Sequence, residues 1–110
     1  SHLMYCDIFT NEDKSVKTYQ FVGQLFFNSA DKFYETIDFK EVLDKVIIDV
    51  SKAHFWDVSA VYALDKAIIK LRRSGTTVEI VGQNEASKTL IDKFGIHDKP
   101  EEIKKVMGGS

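Results

Sequence analysis

The sequence has few of the residues that cross-link a chain or anchor it in a membrane. It contains one cysteine and one proline in 110 residues, so Cys6 has no intrachain disulfide partner and a reducing cytosol is the default compartment. None of its apolar runs approaches the roughly 20 residues that cross a bilayer. We therefore expect any membrane attachment to lie outside these residues.

Neither positive nor negative residues are concentrated in one part of the sequence. The formal net charge of -2 comes from interspersed Lys, Asp and Glu, and no block of like charge exceeds two or three residues. Phosphate binding needs a clustered basic face. The sequence therefore predicts no nucleic-acid partner.

Patterns for catalysis and metal binding are also missing. His54 and His97 are the only histidines after Met4, and neither has a Cys or His at ligand spacing. Ser59 lacks the flanking glycines of a nucleophile elbow, and no Walker or dinucleotide glycine motif occurs. We expect no metal, no cofactor and no enzymatic activity.

The composition itself is that of one globular domain. Hydrophobic residues make up 44% and charged residues 29%, as in ordinary soluble proteins, and 110 residues can bury one core but not two. Residues 1–3, ahead of Met4, look like a cloning scar, and residues 108–110 like a flexible tail. A single domain over residues 4–107 remains.

Strand and helix patterns alternate along the chain. Two β-prone runs, residues 5–9 and 16–22, predict an antiparallel hairpin with Tyr19 and Phe21 facing the core. The remaining predicted elements are a helix with Ala30, Phe33, Tyr34 and Ile37, a strand over 46–50, a helix after Asp57, a strand over 76–81, and helices after Asn84 and at Pro100. This order predicts an α/β fold whose mainly parallel sheet has an antiparallel edge from the N-terminal hairpin, with helices packed on it.

Residues 45–75 form the central part of the predicted fold. A β-branched run over 46–50 predicts a buried parallel strand, and residues 51–56 predict a loop. The following helix ends at Ser74-Gly75 and should bury one stripe, formed by Val61, Leu64, Ile68 and Leu71.

Two polar residues of this stretch have alternative interpretations. Asp49, at the predicted strand end, resembles the phospho-acceptor of a receiver domain, although no acidic pair follows the first strand, and its alternative role is to cap the next loop. Ser59 is either a helix cap or a phosphorylation site. A phosphate there would meet free amides but would be opposed by Asp57, and it would change partner binding more readily than the fold.

The same residues resemble a known family, the STAS domain of sulfate transporters and anti-sigma-factor antagonists. The similarity covers nearly all of residues 19–106 and is densest in Val46-Ile47-Ile48-Asp49-Val50-Ser51, Phe55-Trp56-Asp57-Val58-Ser59-Ala60, Leu71-Arg72-Arg73-Ser74-Gly75 and Val78-Glu79-Ile80-Val81-Gly82. Residues 23–30 are similar to the Gly-x-Leu-Phe-Phe-x-x-Ala pattern of the SulP anion permeases.

The SulP resemblance implies a cytoplasmic C-terminal domain at the inner face of the plasma membrane. Such a domain follows a membrane-embedded transport domain, which it regulates or assembles through protein contacts, and it oligomerises through the parent transporter. The expected partners are that membrane domain and cytoplasmic proteins.

The alternative branch is a stand-alone anti-sigma-factor antagonist controlled by serine phosphorylation. Ser59 falls on the phosphorylated position and Asp57 on the aspartate of the same motif, whereas Val58 and Ala60 replace its first hydroxyl residue and its glycine.

Either branch places an interaction surface at the helix N-terminus. Its predicted members are Phe55, Trp56, Asp57, Val58 and Ser59. The two aromatics are either a binding patch or loop anchors, and we favour anchors packed on the core. Nucleotide binding, proposed across the family, would have only the helix N-termini at Asp57 and Asn84 to hold phosphate.

Overall fold

The computed structural model describes residues 4–106, so the expected scar at 1–3 and tail at 108–110 lie outside the described residues. Four strands and four helices follow one another: β1 Tyr5–Thr10, β2 Val16–Leu25, α1 Ala30–Thr36, β3 Lys45–Phe55, α2 Val58–Arg73, β4 Thr77–Val81, α3 Glu85–Phe94 and α4 Pro100–Val106. The predicted order of elements is confirmed.

The four strands form one sheet in the order β1-β2-β3-β4. β1 pairs with β2 antiparallel, and β2 with β3 and β3 with β4 in parallel, which confirms the mixed, mainly parallel α/β fold with an N-terminal hairpin. Tyr19 and Phe21 are fully buried, as the alternation in β2 predicts. The Phe21 ring centroid lies 4.3 Å from that of Phe33, and this contact attaches α1 to the sheet.

β3 is longer than the sequence indicates. The predicted loop over residues 51–55 is instead strand, because β2 also continues and pairs Gly23 with Ala53 and Leu25 with Phe55. One extra residue is accommodated in β3 where the register shifts between Gln20 and Val22. Ala53 and Phe55 are buried while Lys52 and His54 are exposed, the period of two that marks a strand.

α2 packs on the sheet through the predicted stripe. Val61, Leu64, Ile68 and Leu71 are all buried. The helix ends at Arg73 with Ser74 as its C-cap, and Gly75 follows with a positive φ of 88° that a side chain would strain. α2 is therefore held in the core by this stripe. No helix within residues 4–106 has the length and apolar character needed to span a bilayer.

Two valines test this packing as a matched pair. Val61→Ala should lower the free energy of unfolding by about 2 kcal/mol, because a 1% exposed side chain loses its burial and leaves a cavity. Val42→Ala, at a 99% exposed position between α1 and β3, should change it by less than about 0.5 kcal/mol. Urea unfolding measures both, and equal effects would contradict the packing of α2.

Cys6 is half-buried on β1. Burial and the neighbouring Asp7 charge raise its pKa to about 11, against a smaller lowering by Lys17. Since the thiolate is the reactive form, alkylation by iodoacetamide at pH 8 should be roughly two orders of magnitude slower than for free cysteine, and it should accelerate through pH 10. A rate like that of the free thiol at pH 8 would rule this out.

Candidate functional site

The predicted surface residues leave β3 and enter α2 in different environments. Phe55 is 6% exposed and Trp56 is 64% exposed. Phe55 therefore packs in the core and does not belong to the predicted surface. Trp56 projects outward, although its main-chain N–H donates to the Leu25 carbonyl at 2.9 Å, and its indole N–H donates to the Gln24 side chain. The expectation that both aromatics anchor the loop is right for Phe55 and wrong for Trp56.

Asp57 joins two segments that are distant in sequence. One carboxylate oxygen accepts the Ala60 N–H at 3.1 Å and caps α2, and the other accepts the Phe27 N–H at 2.9 Å. The second bond fixes the turn between β2 and α1 against the start of α2. Asp57 is therefore both a helix cap and a clamp between two loops.

Ser59 is the second residue of α2 and is half-exposed. The cap of this helix is Asp57, so the interpretation of Ser59 as a cap is wrong. Its neighbours in the motif differ in exposure: Val58 is 51% exposed, and Ala60 is buried. Ser59 is consequently a hydroxyl on an accessible helix end beside a carboxylate.

Asp49 lies inside β3 and not at a strand end. One oxygen accepts the Ser51 N–H and the other accepts the Gln20 amide, each at 2.9 Å. Burial raises the pKa of Asp49, but these hydrogen bonds outweigh it and hold the pKa below its ordinary value. The residue is a bonded carboxylate of the sheet, which does not match the receiver interpretation.

An apolar groove runs beside the predicted surface. It has a volume of about 590 Å³ and lies between α1, the first half of α2 and the segment after α3. Its exposed apolar side chains are Phe27, Val58, Tyr62 and Phe94. We call it the α2 groove. Sequence reasoning identified only Val58 and Ser59 of its lining, because Phe27, Tyr62 and Phe94 come from three separate elements.

A buried polar contact beside this groove also escaped sequence reasoning. The Asp65 carboxylate accepts the Ile96 N–H at 2.8 Å, the His97 N–H at 3.1 Å and a bond from His97 Nδ1 at 2.6 Å. Asp65 is 2% exposed, so these three donors satisfy it in the core. They attach the α3–α4 junction to α2. The sequence feature that could have indicated this contact is the position of Asp65, directly after Leu64 in the apolar stripe of α2.

The described residues contain no group of three or more His, Cys, Asp or Glu side chains arranged to hold a metal. The two helix N-termini considered for phosphate are already capped: Asp57 accepts from Ala60, and Asn84 accepts from the Ser87 N–H at 2.8 Å. Each cap occupies an amide that a phosphate would need. The geometry therefore offers more to a protein surface than to a nucleotide.

Comparisons with known proteins agree with this architecture. The profile of the STAS domain family matches residues 7–107. The Bacillus subtilis (strain 168) protein named "Putative sulfate transporter YbaR" is 40% identical over 83 residues, which cover 76% of this chain and 17% of that protein. The chain thus spans about a sixth of the length of this curated relative.

Two solved structures are similar in fold. The crystal structure titled antisigma-factor antagonist, STAS domain from Rhodobacter sphaeroides has a TM-score of 0.75 and 48% identity, and the match covers 80% of this chain and 96% of that one. The murine anion transporter Slc26a9 has a TM-score of 0.66 at 20% identity, over 77% of this chain and 14% of that one. The latter likeness concerns the fold alone.

The clamp at Asp57 can be tested by substitution. Asp57→Ala should lower the free energy of unfolding by about 2 kcal/mol, because it removes a helix cap and a second hydrogen bond. Asp57→Asn keeps one acceptor oxygen and should cost about half as much. The amide of Phe27 should exchange faster with solvent in Asp57→Ala.

Asn84→Ala provides the control, since it removes the α3 cap and leaves the Phe27 contact in place. It should cost about 1 kcal/mol and leave exchange at Phe27 unchanged. If Phe27 keeps its full protection in Asp57→Ala, Asp57 is a cap only.

Proposed function

The chain belongs to the STAS domain family, and on that premise we propose that it is the regulatory, protein-binding domain of a SulP-type sulfate or anion transporter. In this proposal the domain does not form the pore and catalyses no reaction. It lies at the cytoplasmic face of the inner membrane and contacts the transporter's own membrane domain, through which it also oligomerises.

The observation that carries the binding role is the exposed apolar surface where β3 passes into α2. Trp56 and Val58 are largely exposed, although Phe55, Ala60 and Val61, close to them in sequence, are buried. Exposed apolar side chains grouped on one face mark binding sites in soluble domains. Asp57 holds this surface in one conformation through its two backbone contacts. A preorganised surface of this kind binds without an added ordering cost.

The transporter assignment is supported by the relatives. Forty percent identity to a protein named as a sulfate transporter, over 17% of its length, fits a regulatory domain of a much longer chain. A second Bacillus subtilis (strain 168) protein, "Putative sulfate transporter YvdB", is 32% identical over 91 residues. The substrate of the parent transporter would be set by its membrane domain.

A second candidate is a stand-alone anti-sigma-factor antagonist. It is favoured by the 48% identity to the Rhodobacter sphaeroides domain, whose own length is covered to 96%. Ser59 would then be the regulatory phosphorylation site. Mass spectrometry of the protein from its native cell tests this, and repeated absence of phosphate on Ser59 counts against it.

The gene's reading frame separates the two candidates. Several upstream apolar segments of about 20 residues each indicate the transporter, whereas a frame beginning at or near Met4 indicates the antagonist.

For the transporter, the surface itself is tested with two exposed valines. The chain is mixed with the detergent-solubilised membrane segment of its own reading frame, and the affinity is measured. Val58→Glu should weaken binding by about tenfold or more, because it places a charge in the contact. The fold should survive, since an acid in the first turn of α2 suits the helix dipole.

Val42→Glu is the matched control. Val42 precedes β3 and Val58 follows it, so the two positions lie at opposite ends of that strand. The control should bind like the unchanged chain. Equal binding of both variants would refute an interaction through the start of α2.

A further inference from the structure

The α2 groove has the shape of a binding site for an extended apolar surface. Its walls come from α1 and α2, and its volume of about 590 Å³ is that of a substantial cleft. Of its lining residues, Phe27 is 71% exposed, and Tyr62 and Phe94 are each about half-exposed. Aromatic side chains that a folded domain leaves uncovered contribute strongly to protein interfaces.

Two lysines carry positive charge at or beside the groove: Lys66 belongs to its lining, and Lys93 lies outside the lining, next to the lining residue Phe94. Lys66 Nζ lies 4.3 Å from the Tyr34 ring centroid and 5.7 Å from that of Tyr62, and Lys93 Nζ lies 5.4 Å from that of Phe94. Within residues 4–106 neither lysine is paired with a carboxylate, although Lys17, Lys45 and Lys88 each have such a partner. Both ammonium groups therefore lie over aromatic rings and remain available to an incoming anion.

Neither of the two carboxylates in the groove lining, Asp31 and Asp65, forms an ion pair with Lys66 or Lys93. Asp65 is buried and already accepts three N–H bonds from Ile96 and His97. Asp31 is exposed on α1 and forms no ion pair with Lys66. The groove is thus mainly apolar, with Lys66 in its lining, Lys93 next to Phe94, and the exposed Asp31 on α1.

We infer that the α2 groove binds an amphipathic helix of a partner protein, with the apolar face of that helix on Phe27, Val58 and Tyr62 and its acidic residues beside Lys66 and Lys93. The walls are helices, whose main-chain groups bond internally, so the groove has no strand edge for an extended peptide to pair with. A helix suits such a groove, because its apolar side chains at i, i+3, i+4 and i+7 lie on one face. This inference rests on the proposed function and names the chemistry of the partner.

Two synthetic peptides test the inference with the isolated chain. Each is a 16-residue helix with leucines at i, i+3, i+4 and i+7, and the flanking positions are glutamate in one and lysine in the other. Titration into the ¹⁵N-labelled chain should shift the amide resonances of Phe27, Val58 and Tyr62 with the glutamate peptide. That peptide should bind about tenfold more tightly than the lysine peptide, as two exposed ion pairs allow.

Charge reversal provides the stricter comparison. The double variant Lys66→Glu/Lys93→Glu should prefer the lysine peptide, while Lys40→Glu/Lys52→Glu changes the net charge equally at positions outside the groove and should keep the original preference. Circular dichroism checks the fold of each variant. If the first pair disrupts it, Lys66→Gln/Lys93→Gln should abolish the preference instead.

Three outcomes overturn the inference: equal affinity for both peptides, resonance shifts that lie outside the groove, or no binding of the glutamate peptide at millimolar concentration. Dimerisation through the groove, seen by sedimentation, would also do so, because a second copy would be the occupant. These measurements need no transporter. If the peptide binds in the groove while Val58→Glu leaves the membrane segment bound, the proposed function fails and the groove's specificity stands.

Discussion

The site depends on the long parallel pairing between β2 and β3. Because β3 continues past its register shift to Phe55, the chain leaves the sheet beside the end of β2 and the Trp56 N–H bonds to the Leu25 carbonyl. Asp57 then lies within hydrogen-bond distance of Phe27. If the strand ended at Val50, the start of α2 would have no fixed position relative to the β2–α1 turn, and neither the clamp nor the α2 groove would form.

Polar contacts at two points along α2 hold separate segments against the same apolar helix. At its start, Asp57 holds the turn before α1, and in its middle Asp65 holds the α3–α4 junction through three donors. The buried stripe of α2 supplies most of the packing, but apolar contacts alone would let these connections shift. Carboxylates need their donors in fixed directions, so Asp57 and the buried Asp65 fix the positions of Phe27 and Ile96, which line the groove.

The features of the fold that depend on local sequence patterns were predicted correctly. Alternation placed Tyr19 and Phe21 in the core, a period near four placed Val61, Leu64, Ile68 and Leu71 on one face, and Gly75 marked the end of α2. It missed residues 51–55 as strand, because Lys52 and His54 interrupt the apolar run and the alternation of Ala53 with Phe55 is short. The α2 groove was beyond such reasoning, since Phe27, Tyr62 and Phe94 meet only after the helices pack.

Val58 and Ala60, the two departures from the antagonist motif, differ in exposure in the structure. Ala60 is buried, so the methyl group that replaces the motif's glycine adds to packing beneath α2, and Val58 is exposed, so an apolar surface replaces a hydroxyl. Both changes make the start of α2 more apolar than the motif they replace. A phosphate on Ser59 would in addition lie near the Asp57 carboxylate, which already holds Phe27 and Ala60. These effects count against the candidate phosphorylation of Ser59 and in favour of the proposed contact through the start of α2.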